Sequence, residues 1–422
     1  MTIIKRKLFK ELKNHLKNKE ISLIIGPRQV GKTTLMQLLK ADLVSKNKNT
    51  VFLSLDIETD REFFDSQLSL IKKIELELGK KQGYVFIDEI QRKQNAGLYL
   101  KGIFDMNLPY KFIVSGSGSI ELKEKIHESL VGRKRLFELN PVSFEEFVDF
   151  KTNYRYENKI TEFLEIEKSK VNSLLDEYLK FGGYPRVILE DKLEDKLRVI
   201  DEIFRSYLEK DVSYLLKVDK VDAFSSFIKL LSGQIGRLIN YSEIASTLRI
   251  SSPTVKNYLW YAEKTFIIKR ITPYFRNLRK EITKSPIIYF YDLGLKNYAL
   301  GVFGRELINV ETGFLFQNLI FNILREKIIY SPISLHFWRT QDKTEVDFIL
   351  SSGEKLLPIE VKFTELKEPK IERSFKSFIN KYQPAEAWLI NLNLRKEIII
   401  GRTKVRFLTI SDLLKQNITN VL

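Results

Sequence analysis

Cysteine is absent from the 422 residues, which excludes disulfides, thiolate nucleophiles and Cys-ligated zinc. Only 3 histidines are present, too few for a histidine-rich metal centre, so a metal in this chain is expected on hard oxygen ligands. No apolar run approaches the roughly 20 residues that span a bilayer. The basic N-terminus, MTIIKRKLFKELKNHLKNKE, spaces its apolar residues as a helix does and not as a signal-peptide core. These absences point to a reducing compartment, read as the cytoplasm. Gly and Pro are modest at 19 and 11 residues, which excludes collagen-like and low-complexity classes.

What is present is globular in proportion, with 44% hydrophobic and 29% charged residues, over a length that suggests roughly two to four domains. Lys and Arg total 70 against 54 Asp and Glu, a net charge of +16. Such a surplus favours a polyanion, either nucleic acid or an anionic membrane surface, and composition alone does not choose between them.

The strongest signal is short. The apolar run Ile21 to Ile25 ends in Gly26-Pro27-Arg28-Gln29-Val30-Gly31-Lys32-Thr33-Thr34, after which Leu35, Met36, Leu38 and Leu39 recur at helical spacing. This is strand, loop and helix with a complete GxxxxGK(S/T) pattern. The glycines let the backbone curl so that its N–H groups face a phosphate, and the helix offers its positive end. Lys32 is expected at the β/γ-phosphates of ATP and Thr33 on Mg2+. A second strand, Tyr84-Val85-Phe86-Ile87, runs into Asp88-Glu89. Asp88 is expected to complete the Mg2+ shell, and Glu89 to activate the attacking water. Two more apolar runs, Val51 to Asp56 and Lys111 to Val114, fit a parallel sheet buried on both faces. The second leads into Ser115-Gly116-Ser117-Gly118, where Ser115 or Ser117 could sense the γ-phosphate, or where a plain Gly/Ser turn could sit.

These residues resemble the AAA+-like P-loop ATPases of archaea and bacteria that carry a C-terminal domain of uncharacterised function. The likeness rests on GPRQVGKTTL, VFIDEIQ, VSGSGS, LVGRKRLFELNPVSFEEF, YLKFGGYPRVI, FRSYLEKDV and YFYDLGL, in order along nearly the whole chain. The resemblance implies a homo-oligomer, a hexamer among the expected forms, in which an arginine of one subunit completes the neighbour's site. Arg133 is the first candidate and Arg135 the second; a surface arginine is the competing reading. Gly182-Gly183-Tyr184-Pro185 reads as a structural turn.

From Phe144 to Leu215 the pattern is that of a helical lid. Tyr241 to Leu248 and a helix N-capped by Ser252, with Val255, Leu259 and Ala262 on its inner face, are joined by a tight turn. A Phe266-Ile267-Ile268 strand follows, so the segment resembles a winged helix-turn-helix. The outer face is expected to carry Thr254, Lys256, Asn257 and Tyr258. Lys264, Lys269, Arg270, Arg276, Arg279, Lys280 and Lys284 lie just beyond against the lone Glu281, a basic stretch suited to DNA phosphates or, as a solvated face, to a protein partner.

In the C-terminal part, a helix (Phe314 to Glu326) precedes strands at His336–Arg339, Glu345–Leu350 and Leu357–Phe363. A hairpin turn centred on Ser352-Gly353 places Asp347 diagonal to Glu360. Helix, hairpin, Asp, then Glu-x-Lys resembles the PD-(D/E)xK nuclease fold. The resemblance implies Asp347 and Glu360 as ligands of Mg2+ or Mn2+ and Lys362 as a catalytic lysine. Where that family places a metal-directed Glu this chain has Gln317, and Glu311 lies about 240° around the helix from it. The competing reading is a charged strand face or a retired site.

The expected architecture is therefore α/β: an AAA+-like P-loop core (1–143), a helical lid (144–215), a winged-helix module (216–285) and a restriction-endonuclease-like domain (286–422). The expected function is ATP hydrolysis coupled to action on DNA, with metal-dependent cleavage. The alternative is a nucleotide switch whose C-terminal half binds DNA or protein without cutting.

Overall fold

Four near-continuous apolar runs and a fifth, more polar one become strands β1 (Ile21–Gly26), β2 (Thr50–Ser54), β3 (Gly83–Asp88), β4 (Tyr110–Ser117) and β5 (Lys134–Glu138) of one sheet. The computed structural model describes residues 2–117, 130–208, 221–275, 285–306, 309–340, 342 and 344–422. The five strands pair in parallel in the order β5–β1–β4–β3–β2. β1 is buried along its whole length, as a strand covered on both faces must be. Leu35, Met36 and Leu39 of the helix Lys32–Val44 pack with Ile24, Phe86 and Ile113 on one face. Leu70, Ile74, Leu100 and Ile103 from two other helices pack with Leu23, Val85 and Val114 on the opposite face.

Helices Phe144–Lys151, Ile160–Ile166, Lys168–Phe181, Pro185–Leu189 and Leu193–Ser206 follow. The first is set by a reciprocal Ser143/Glu146 capping box. The third ends where Gly182 turns left-handed at φ 74°, the conformation glycine reaches without steric cost.

The two short helices of the next segment span Tyr241–Leu248 and Ser252–Lys264 and are joined through a left-handed Arg249. The cap of the second is Ser251 and not Ser252, because the Ser251 hydroxyl is the one that accepts from Thr254 N, at 3.2 Å. The inner face also departs from the expected one: Tyr258 is buried beside Phe224 and Phe227, so the outward residues are Lys256 and Asn257. Phe266 is left-handed, at φ 62°, and ends the helix in a turn. The strand β6 therefore covers Ile268–Ile271 and not Phe266–Ile268. It pairs antiparallel with β7 (Ile287–Phe290), past the expected boundary at residue 285. Arg276, Arg279, Lys280, Glu281 and Lys284 lie outside the described residues.

The last part holds helices Leu293–Leu300 and Asn309–Ile328, then a mixed sheet of β8 (Ser334–Arg339), β9 (Glu345–Ser352), β10 (Lys355–Val361), β11 (Glu386–Ile390), β12 (Lys396–Ile400) and β13 (Thr403–Leu408), in the order β12–β13–β11–β10–β9–β8. Phe316 and Ile320 of the long helix share a core with Leu350, Ile359 and Trp388. Phe375 and Phe378 of the helix Arg373–Tyr382 cover the other face against Ile349, Leu389 and Phe407. No helix among the described residues is long and apolar enough to cross a membrane.

The long helix also grips the first sheet. Arg325 Nη1 bonds Glu138 Oε1 at 2.8 Å, with the two side chains 10% and 16% exposed, and its guanidinium lies 4.2 Å from the Tyr291 ring centroid. Tyr330 donates to Leu136 O at 3.1 Å and accepts from Glu138 N at 3.3 Å, occupying groups that edge strand β5 would otherwise leave open. Arg325→Ala leaves the Glu138 carboxylate buried without its cation, so a loss of about 3–5 kcal/mol is expected. Denaturant midpoints at constant slope measure it, and an unchanged midpoint would refute the clamp.

Candidate functional site

At the C-terminal edge of the first sheet the chain leaves β1 through the loop from Gly26 to Thr34. The sharp exit depends on Gly26, because a Cβ there would lie 2.1 Å from the Leu139 carbonyl oxygen. Gly31 turns left-handed at φ 92° and starts the helix at Lys32, so the loop and the positive helix end face the same space. Lys32 is buried, and its Nζ donates to Pro27 O at 2.7 Å and Gly26 O at 3.1 Å.

The ends of β3 and β4 supply the acids and the hydroxyl. Thr33 Oγ1 donates to Asp88 Oδ2 at 2.7 Å. Ser115, fully buried, donates to Asp88 Oδ1. Glu89 follows in a left-handed conformation, φ 57°, with its N–H 3.2 Å from Asp88 Oδ1 and its carboxylate accepting from Gln91 Nε2. Thr33 and Asp88 thus bring two hard oxygen groups together, the donor set Mg2+ takes beside nucleotide phosphates. The residues fit that ion.

A cavity of about 530 Å³ opens over the loop and is lined by Arg28, Gln29, Lys32, Thr33 and Glu89 together with residues to which the sequence reading gave no role at the site. Ile4 and Arg6 reach it from the N-terminal segment, and Pro185, Arg186, Glu202 and Ser206 from the helical part. Arg6 Nη1 donates to Val30 O at 3.1 Å, Nη2 to Asn140 O at 2.6 Å, and Nε to Glu146 at 3.1 Å, so one guanidinium fixes the back of the loop. Arg186 Nη1 bonds Gln29 Oε1 at 3.2 Å and Glu202 Oε2 at 2.9 Å. The only local hint was its place immediately after Gly-Gly-Tyr-Pro.

Arg133 lies elsewhere. It precedes β5, and its carbonyl accepts from Ile21 N at 2.9 Å, so within one chain the length of β1, about 20 Å, separates it from the loop. Its Nε pairs with Asp105 at 2.7 Å. Arg135 is exposed, 5.4 Å from the Phe137 ring centroid. The side chain of Ser117 is outside the described residues.

The second expected cluster is on the other sheet. The β9–β10 ladder pairs Lys355 with Ser352 and Ile359 with Phe348, so the turn is Gly353-Glu354, one residue later than expected. Continuing that register sets Glu360 opposite Asp347 and not diagonal to it. Gln317 Nε2 donates to Asp347 Oδ1 at 2.6 Å and Val361 N to Oδ2 at 2.7 Å. Lys362 joins Glu360 at 2.9 Å and Glu372 at 2.8 Å. Glu311 turns away, its charge felt by Lys296. Both Asp347 oxygens and one Glu360 oxygen are thus taken by N–H donors; the other, Glu360 Oε2, is buried and unpartnered. No group of three or more His, Asp or Glu side chains suited to a metal occurs among the described residues. In this arrangement the residues do not fit a divalent cation.

Burial raises both carboxyls above the usual range, and the neighbouring Asp347 charge raises Glu360 further. A carboxyl raised in the folded state holds its proton more tightly there. Its contribution to stability is full in acid and is lost as pH rises through the folded value. Glu360→Gln, neutral without a proton, is expected to flatten the fall in melting temperature between about pH 4.5, the unfolded value, and about pH 8, the folded one. A fall as steep as that of the wild type would refute it.

Comparison with known proteins places the first sheet in context. Residues 18–148 match the AAA domain family, and residues 172–306 and 312–411 match two domains of unknown function, DUF8612 and DUF4143. An uncharacterized protein of Mycobacterium tuberculosis is 25% identical over 393 residues, covering 92% of this chain and 80% of the relative. One of Methanocaldococcus jannaschii is 27% identical over 383 residues, covering 89% and 81%. Among solved structures, replication initiator DnaA bound to AMPPCP and single-stranded DNA aligns over 62% of this chain and 90% of that chain, at 18% identity and a TM-score of 0.29.

Proposed function

We propose that the chain binds ATP with Mg2+ at the loop Gly26–Thr34, hydrolyses it, and uses the cycle to change its hold on DNA. The observation that carries the reading is the hydrogen bond from Thr33 to Asp88 at the mouth of a cavity lined by the phosphate-binding loop and Glu89. Lys32 exchanges its loop carbonyls for the β/γ-phosphates, and the loop N–H groups cradle them. Thr33 and Asp88 would hold Mg2+, which supplies neutralising charge when bound. Ser115 reports on the phosphate end through its bond to Asp88. Glu89 takes a proton from the attacking water, and Gln91 holds its carboxylate in place.

Arg133 is proposed to act from a neighbouring subunit of a homo-oligomer, giving up Asp105 for the phosphoryl group, with a hexamer among the closed rings that the resemblance implies. DNA is proposed to bind along the helix Ser252–Lys264 and the hairpin of β6 and β7 in the manner of a winged helix. The C-terminal sheet is proposed as a binding platform that does not cut: it resembles the nuclease fold, but the Gln317 amide occupies the carboxylate a metal would need. An ATPase that holds a protein partner through the same face is the second reading, favoured by Glu263, which pairs with both Lys269 and Arg270.

Lys32→Ala is expected to abolish ATP binding, whereas Glu89→Gln keeps binding and loses turnover by about a hundredfold or more. Mixing Lys32→Ala with Arg133→Ala protein restores part of the activity if the arginine acts in trans. Unchanged ATPase activity in Lys32→Ala would sink the reading.

DNA binding is expected to tolerate any sequence and to weaken steeply with salt. Lys256→Glu together with Arg279→Glu and Lys280→Glu should lower the slope of log affinity against log salt by about 0.9 for each phosphate that is no longer neutralised. Lys269 and Arg270 are left in place because Glu263 would lose both partners. An unaltered slope and affinity would move the assignment to the protein partner. Incubating duplex, single-stranded and branched DNA with Mg2+ or Mn2+ tests the platform, since cleavage that Asp347→Ala abolishes would overturn it.

A further inference from the structure

We infer that Asp292 is a positioning residue for the nucleotide site, the fastening by which the second half of the chain holds the far wall of the ATP cavity. This inference rests on the ATP reading above. Two sequence segments that the phosphate chemistry does not use, YLKFGGYPRVI and YFYDLGL, meet at this residue. Asp292 is 2% exposed. Its Oδ2 accepts from Gly183 N at 2.6 Å and its Oδ1 from Leu295 N at 2.7 Å, and Gly294 N–H also bonds it. Burial pushes the carboxyl up to about 6 while these donors pull it down, so near neutral pH it is a charged acceptor for all three.

The contact leaves no slack. A Cβ on Gly182 would stand 2.4 Å from Gly294 N, one on Gly183 2.3 Å from Val142 O, and one on Gly294 2.1 Å from Phe181 O. The helix Leu293–Leu300, which Asp292 caps, makes two further attachments. Asn297 Nδ2 donates to Leu179 O at 2.8 Å and Lys180 O at 3.0 Å, satisfying carbonyls that the end of a helix leaves open. Tyr298 donates to Asp201, next to Glu202 on the helix that lines the cavity.

What the fastening fixes is therefore the wall itself. The Gly182–Gly183 turn sets Pro185 and Arg186, and Arg186 spans to Gln29 and Glu202 across the cavity mouth. Gly183 O also accepts from Val142 N at 2.7 Å, which ties the same turn to the segment after β5. On its other side Asp292 follows β7, whose Phe290 exchanges two 2.8 Å hydrogen bonds with Asn318 of the long helix. One carboxylate thus joins the nucleotide wall to the β6–β7 hairpin and to the C-terminal domain. An asparagine would keep the size but present an N–H₂ group to a site that already holds three donors.

The test uses the full chain with a fluorescent ATP analogue, steady-state ATPase kinetics and thermal unfolding. Asp292→Asn should raise the analogue's Kd and the KM for ATP about tenfold, with kcat changed less, in protein that still unfolds cooperatively. Arg186→Ala should give a similar rise. The double variant should be no worse than the poorer single variant, because both act through one wall. Unchanged KM in folded Asp292→Asn, or effects that multiply, would overturn the inference while leaving the ATP site intact. A wild type that binds no analogue would overturn the ATP reading itself, and the inference with it. Hydrogen exchange on the wild type settles the case in which the variant does not fold. The analogue should slow exchange at Gly183 and Leu295 as well as in the loop, and protection confined to the loop and its helix would count against Asp292.

Discussion

The nucleotide site hangs on the parallel register of β1, β3 and β4, because only that register brings three strand ends to one point. Ile24 faces Ser115 across the β1–β4 ladder and Phe86 faces Ile113 across β3–β4. Asp88 therefore emerges beside Ser115, one strand away from the loop that carries Thr33. A slip of one residue would turn Asp88 toward the opposite face and leave Thr33 and Ser115 without their common acceptor. The burial of Ile24, Phe86 and Ile113 against Leu35, Met36 and Leu39 is what prevents the slip. The polar geometry at the edge is thus held by the apolar alternation beneath it.

The phosphate loop, the Asp88–Glu89 pair and the strand exits were legible because each is local: a few consecutive residues whose types determine their own conformation. The residues that complete the cavity were not legible for the opposite reason. Arg6 and Glu202 carry no distinctive neighbours, Arg186 only the Gly-Gly-Tyr-Pro before it, and only tertiary packing brings residues this far apart in the chain to one wall. Gly182-Gly183 was readable as a turn, and its function was not, since the partner that makes the turn matter is Asp292, more than a hundred residues later.

Where the sequence reading and the structure part, small local preferences lost to packing or to backbone geometry. Tyr258 looked like part of an outward helix face, but Phe224 and Phe227 of the helix Val221–Ser232 supply an aromatic pocket that draws it in. The β9–β10 turn moved by one residue because Gly353, at φ 59°, takes the left-handed place at the start of a Gly-Glu turn. That single step sets Glu360 directly opposite Asp347, so that the charge of Asp347 adds to burial in raising the Glu360 carboxyl. The charge count of the basic stretch also changed meaning once Glu263, on the helix that precedes the strand, turned out to neutralise Lys269 and Arg270.

Gln317 connects these points. A glutamate in its place would put another carboxylate against Asp347, and buried like charges raise one another's pKa unless a cation neutralises them. An amide needs none: it donates to Asp347 and lets the helix Asn309–Ile328 seat on the sheet without a metal. The same helix meets the first sheet through Arg325 and carries Asn318, which binds the strand leading into Asp292. Near the middle of this helix, adjacent residues thus face two ways: Gln317 bonds Asp347 inside the C-terminal domain, and Asn318 bonds the strand that leads into Asp292 and the nucleotide wall. If ATP draws the wall inward, Asp292 and the Phe290–Asn318 bonds are the contacts through which β7 and the hairpin would feel it. By reciprocity, if ATP changes the affinity of the hairpin for a ligand, that ligand changes the affinity for ATP by the same factor.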